Sequence, residues 1–152
     1  MTQTNAKQAA KTTLTPEDWG KFIAGLDLLD LRIREGSHRF SNELYSAKHQ
    51  FSIHTDIEAS FAPLGTDLFE AEQVFTLKIR GKGSKRILGS VKCLIVALYK
   101  SKSVQINEAL FDAFKRGTLL LNTWPFIREF THSCTLRAGL PPLVLPLAKF
   151  LP

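Results

Sequence analysis

The side chains of this 152-residue sequence that could do chemistry are four histidines, two cysteines and a few closely spaced carboxylates. His38, His49, His54 and His132 show neither HxH nor HExxH spacing, so no pair stands where one strand or helix would offer both rings to a metal. Cys93 and Cys134 lie in apolar periodic segments without CxxC spacing and read as buried, reduced thiols. A GxSxG elbow, a Walker loop and a GxGxxG fingerprint are all missing. The run Gly81-Lys82-Gly83-Ser84-Lys85 is glycine-rich and basic, but it departs from the phosphate-binding patterns and reads as a hairpin turn. Asp56 with Glu58, and Glu70 with Glu72, are carboxylates at strand spacing. Each pair reads as a solvated sheet face or, more sharply, as a face that docks a partner. No catalytic residue, metal ligand or cofactor is assigned, and the chain is not expected to be an enzyme.

The hydrophobic pattern supplies the elements that would position these groups. Thr15 caps a short helix, Pro16 takes its first position, and Glu17 and Asp18 favour its positive end. Trp19, Phe22, Ile23 and Leu26 follow at helical spacing. A first strand is predicted over residues 28–37, with Leu29, Leu31 and Ile33 alternating with Asp30, Arg32 and Arg34. The second strand alternates most cleanly. Phe51, Ile53, Ile57, Ala59 and Phe61 share one face, and Ser52, His54, Asp56, Glu58 and Ser60 share the other. A third strand, residues 69–80, turns Phe69, Ala71, Phe75, Leu77 and Ile79 inward. The fourth, residues 87–99, is apolar on both faces, so both should be covered, one by helices and the other by a partner. Asn107 then caps a helix carrying Leu110, Phe111 and Phe114 and stopped by Gly117. Thr123 and Pro125 predict the start of a last helix through Arg137, with Ile127, Phe130 and Cys134 spaced for burial. Gly139 and Pro141 end it, and the apolar, proline-rich tail of residues 140–152 should run extended over the protein. The expected architecture is α+β: a four-stranded antiparallel meander sheet with the C-terminal helices on one face.

Composition narrows the function classes. The 44% hydrophobic content fits one domain with a true core. Residues 1–14 read as a flexible arm and residues 15–152 as the folded domain. The polar start lacks the apolar stretch of a signal peptide, and no apolar run approaches the roughly 20 residues needed to span a bilayer. A cytoplasmic protein without membrane insertion is expected. Net charge is +6, but the Lys and Arg residues are scattered, with the one dense cluster at residues 80–86. Strand aromatics lie opposite the charges, which argues against a stacking platform for nucleic acid.

The C-terminal segment is the most specific part. Trp124-Pro125-Phe126-Ile127-Arg128-Glu129-Phe130 opens a helix, and Arg137-Ala138-Gly139-Leu140-Pro141-Pro142-Leu143-Val144-Leu145-Pro146 closes it and runs on towards Phe150. This resembles the C-terminal part of the SecB protein-export chaperone family. The family pattern there is an aromatic-proline start, Arg-Glu in the first turns, then Arg, Gly, Pro-x-Leu-x-Leu and Phe. The strand and helix order agrees over residues 43–150. The sequence departs from the export form in being basic, in its helical segment at residues 15–26, and in stopping at Pro152 without a last helix and acidic tail.

The resemblance implies an ATP-independent holdase that keeps unfolded or nascent polypeptides from aggregating. It further implies a homo-oligomer, a dimer of dimers with sheets outside and long helices between. The partner would be the SecA translocase motor or a dedicated client such as an antitoxin. Apolar side chains expected to contact clients are Phe111, Phe114, Trp124 and Phe126, with Leu143, Val144 and Leu145 on the tail. Asp56, Glu58, Glu70 and Glu72 are the expected docking face for the second partner. The rival reading is a small-ligand or regulatory binding domain with a pocket beneath the sheet.

Overall fold

A computed structural model of the chain describes residues 14–46 and 50–148. The N-terminal arm, apart from Leu14, and the last four residues lie outside the described residues, as does His49. Helix α1 spans Pro16–Ala24 and is capped as expected, Thr15 Oγ1 accepting from the Asp18 amide at 3.1 Å. Strand β1 follows (Leu26–Phe40), then a short 3-10 helix (Asn42–Tyr45), β2 (Phe51–Pro63), β3 (Leu68–Gly81), β4 (Ile87–Ser101), α2 (Glu108–Arg116) and α3 (Thr118–Arg137).

The α+β class and the four-stranded antiparallel sheet stand as expected. Strands β2, β3 and β4 meander through hairpins. The first strand departs from the simple sequential order: it crosses over to pair with β4, giving β1-β4-β3-β2. The physical reason lies in β4. It carries Val91, Cys93, Ile95, Ala97 and Tyr99 on one face and Leu94, Val96 and Leu98 on the other. A strand with two apolar faces needs neighbours on both sides, whereas β2, with one wet face and Pro63 at its end, suits an edge. The outer face of β4 is covered at its middle, while Leu94 and Leu98 stay half-buried and Lys92 exposed. Arg34 of β1 reaches Glu72 of β3 at 2.7 Å, an ion pair that must bridge β4, and Val96 on that face is 2% exposed.

Two sequence expectations shift. Strand β1 is longer than predicted, and register shifts fall between Leu28 and Asp30 and between Ile33 and Glu35. Leu31 and Ile33 point into the core, but the first bulge turns Leu29 outward. The last helix begins at Thr118, not Thr123, so Pro125 is an interior residue. Its missing N–H leaves the Leu121 carbonyl without an intrahelical donor, and Leu121 is exposed, so water can take the bond. The helix extends backwards because its buried stripe does. Leu119, Thr123, Ile127, Thr131 and Thr135 recur every four residues and are all buried. The threonines read as polar in a periodicity scan. Two of them turn their hydroxyls onto their own helix, Thr123 to Leu119 O at 2.9 Å and Thr135 to Thr131 O at 3.1 Å.

All three helices cover the same sheet face, over two clusters. One gathers Phe22, Phe69, Tyr99, Phe111 and Phe114 under α1 and α2. The other gathers Phe75, Leu77, Val91, Ile95, Ile127 and Cys134 under α3 and the tail.

Candidate functional site: an apolar groove beside the β2 edge

The groove is built by the way α3 ends. Ala138 closes the helix and Gly139 follows at φ +73°, a left-handed conformation that glycine adopts without steric cost. Gly139 N–H then bonds Leu136 O at 3.0 Å and Leu140 N–H bonds Thr135 O at 3.0 Å, the two bonds of a Schellman cap, with Leu140 packed into the core. The cap folds the tail back along the helix. There the Leu143 amide donates to Thr135 Oγ1 at 3.0 Å, Arg128 Nε to Leu145 O at 3.0 Å, and Trp124 Nε1 to Pro146 O at 2.8 Å. The tail is extended, as expected, and pinned by three side chains of α3.

The 3-10 helix forms the opposite wall. Ser41 caps it, Leu44 enters the core, and the Tyr45 hydroxyl donates to Ala138 O at 2.5 Å. Between this wall, the first residues of β2 and the turn after α3 lies an apolar groove of about 470 Å³. Tyr45, Phe51 and Ile53 stand along it with Ile79, Leu140 and Leu143. Tyr45 is 51% exposed, Phe51 37% and Ile53 44%. Among the described residues β2 pairs with β3 alone, which makes it an edge of the sheet, and its first residues Phe51 and Ile53 stand on the groove.

The structure disperses the side chains expected to contact clients. Phe111 and Phe114 are core residues under α2, and Leu145 is core beneath the tail. These three are corrected from surface to interior. For Phe111 and Phe114 the helical spacing is that of a buried stripe, on a helix capped by the bond from the Leu110 amide to Asn107 Oδ1 at 3.0 Å. Trp124 is half-buried, stacked edge-on to Phe75 with ring centroids 6.3 Å apart. Phe126 at 41% and Val144 at 65% are exposed, and Leu143 alone of the seven lines the groove. Asp56, Glu58, Glu70 and Glu72 share the outer sheet face, as alternation requires, with Glu72 engaged by Arg34.

Residues missed at the sequence level are Tyr45 and, as surface side chains, Phe51 and Ile53. Alternation placed the latter two on the apolar face. That is correct, but among the described residues no helix covers that face at the start of β2. Pro63, which suits an edge strand, was the available signal.

The other chemistry-bearing residues form no centre. Among the described residues no group of three or more His, Cys, Asp or Glu could hold a metal ion. Burial pushes the Cys93 thiol up to about 11, and nearby Cys134 adds to the rise. Burial likewise raises Cys134, so neither is an activated nucleophile. No described helix is long and apolar enough to cross a membrane.

A Greek-key antiparallel sheet with its helices on one face and an apolar groove at one corner defines an α+β fold of the SecB-like type. The fold is that of a SecB-like chaperone from Mycobacterium tuberculosis, solved in complex with a ChAD peptide from the HigA1 antitoxin. The TM-score is 0.69 at 18% identity, over 85% of this chain and 95% of that one. A protein of unknown function from Streptococcus agalactiae is more distant, with a TM-score of 0.46 at 12% identity, over 80% and 97% of the two chains. No protein-family model matches the sequence, and no curated protein sequence does.

Proposed function

We propose that the protein is a chaperone of the holdase type, which takes an extended apolar stretch of another polypeptide into the groove beside β2. The observation that carries this reading is the groove itself: about 470 Å³, apolar, open along a strand edge, with three large side chains left partly in water. An extended client meets two kinds of contact there. Backbone groups of the β2 edge can accept it as an added strand. Tyr45, Phe51 and Ile53 supply apolar burial worth about 1.5–3 kcal/mol for each side chain fully covered, without reading sequence. The cost of ordering the client offsets much of that gain, so one groove binds weakly and several on an oligomer bind well. The SecB-like fold supports the reading, since its solved relative holds a peptide from an antitoxin.

A cytoplasmic homo-oligomer, a dimer of dimers, is part of the proposal. Strand β1 is the second sheet edge and leaves Leu28 and Leu29 exposed, which suits a further copy. The client would be an exported polypeptide or an antitoxin, and a translocase motor would be its onward partner, with the acidic outer face of Asp56, Glu58, Glu70 and Glu72 as the docking surface. One observation favours the rival reading, a small apolar ligand: the groove's volume is within the range of small-molecule sites.

Light scattering separates the two. The protein at near-stoichiometric ratio should suppress aggregation of an unrelated denatured protein, and an Ile53→Asp variant, at a side chain 44% exposed, should lose that effect with little change in its thermal midpoint. Full aggregation in the presence of the native protein would reject the chaperone reading.

A further inference from the structure

The β3–β4 hairpin is a charged feature that neither the fold nor the groove explains. Residues 76–92 contain Lys78, Arg80, Lys82, Lys85, Arg86 and Lys92 and no carboxylate. The hairpin turn stands at one end of the groove, because Phe51 on the groove pairs with Gly81 at the start of the turn. Lys82 is tied to the residue before Phe51 twice: its amide donates to Gln50 O at 2.8 Å and its Nζ to Gln50 Oε1 at 2.8 Å. A second cavity of about 310 Å³ opens here between Glu43, Gln50, Lys82, Ser84 and Arg86. It is more polar than the first, and its Glu43 and Gln50 stand next in sequence to Leu44 and Phe51 of the first. The carboxylate at this cavity is Glu43, held by Arg86 at 2.8 Å. Lys82 and Lys85 are exposed, and neither has a carboxylate partner among the described residues.

We infer that the groove selects polypeptide segments whose apolar anchors are flanked by acidic residues, the anchors seating against Tyr45, Phe51 and Ile53 and the carboxylates meeting Lys82, Lys85 and Arg86. This rests on the client-binding reading above and specifies its substrate class. A chain laid along the β2 edge runs off the groove directly onto the hairpin, so charge selection needs no second docking event. A polypeptide fits better than a nucleic acid: beside the rings of Tyr45 and Phe51 the groove is lined by Leu44, Ile53, Ile79, Leu140 and Leu143, which can bury apolar side chains and offer a base edge no hydrogen bond. The protein's net charge of +6 acts in the same sense at long range, speeding the approach of anionic segments.

The test uses fluorescence anisotropy with the full chain and three labelled peptides that share one Leu-x-Phe-x-Leu core and carry Glu, Ser or Lys flanks. The Glu-flanked peptide should bind about tenfold more tightly than the Ser-flanked one at low salt, with the gap closing at roughly 1 M salt, as expected of exposed charges. The Lys-flanked peptide should bind most weakly. A Lys85→Glu variant should weaken binding of the Glu-flanked peptide and strengthen that of the Lys-flanked one, and its binding of the Ser-flanked peptide reports that the groove is intact. Equal binding of all three peptides, or an unaltered preference in the variant, would overturn the inference while leaving the client groove standing. No binding of any peptide would reject the groove reading itself. A mixed-sequence oligonucleotide that displaces the Glu-flanked peptide at lower concentration than free Glu-flanked peptide would overturn the assignment to a polypeptide.

Discussion

The two ends of the sheet's inner face are both rich in large apolar side chains, yet only one end is sealed. At the α1–α2 end, Phe114 sits inside edge-on contacts with Tyr99, Phe69 and Phe22, ring centroids 5.0, 5.8 and 5.9 Å away. Two helices lie over it, and every aromatic ring of that buried set is shut from water. At the other end α3 runs out at Arg137, and the tail folds back along the helix rather than across β2. Tyr45, Phe51 and Ile53 therefore line the groove and stay 37–51% exposed. Similar residues make a core in one place and a surface in the other. What separates them is whether an element is long enough to reach over them.

Four expected outcomes test that contrast. The largest is at the sealed end: Phe114→Ala should cost about 3–5 kcal/mol, read as a fall in the urea midpoint, because a close-packed aromatic site cannot collapse to fill the gap. A loss below about 1 kcal/mol would mean the end is not sealed. Gly139→Val comes next. At φ +73° a β-branched residue is strained, and about 1–2 kcal/mol should be lost along with peptide affinity, since the cap sets the groove's far wall. Loss of stability with unchanged affinity would uncouple tail from groove. At the open end, Ile53→Ser should change stability by no more than about 1 kcal/mol while weakening peptide binding about tenfold. The smallest effect is on pH dependence. The folded chain holds the Cys93 proton up to about 11, against an ordinary value of 9.0. Its contribution is thus fully present below about pH 9 and lost as pH rises through about 11. Burial raises Tyr99 as well, in the same sense. A Cys93→Val variant should show a shallower alkaline decline in the denaturation midpoint, and an identical slope would remove Cys93 from that account.

Much of this was legible beforehand, for identifiable reasons. The cap at Thr15, the hairpin at Gly81–Ser84 and the cap at Asn107 are local chemistry, and they formed where the sequence placed them. The double apolar face of β4 announced a strand covered on both faces, though not that β1 would pair with it. The start of α3 was misplaced because Thr-Pro is a strong local signal for a helix start, while the stripe from Leu119 onward contains threonines whose burial depends on the sheet beneath them. The groove was hidden for a similar reason. Phe51 and Ile53 alternate correctly, and alternation cannot tell a covered face from a bare one.

Residue order by itself determined which segments are strands and helices, which faces are apolar, where the chain turns, and the basic character of the hairpin. These follow from backbone sterics, capping and periodicity, all of which act over a few neighbours. Tertiary structure alone decided that β1 crosses to β4, that Phe111 and Phe114 are interior, and that Tyr45 meets Ala138 across the groove. Those outcomes depend on which distant element covers which face, a competition for burial that no local window of the chain contains.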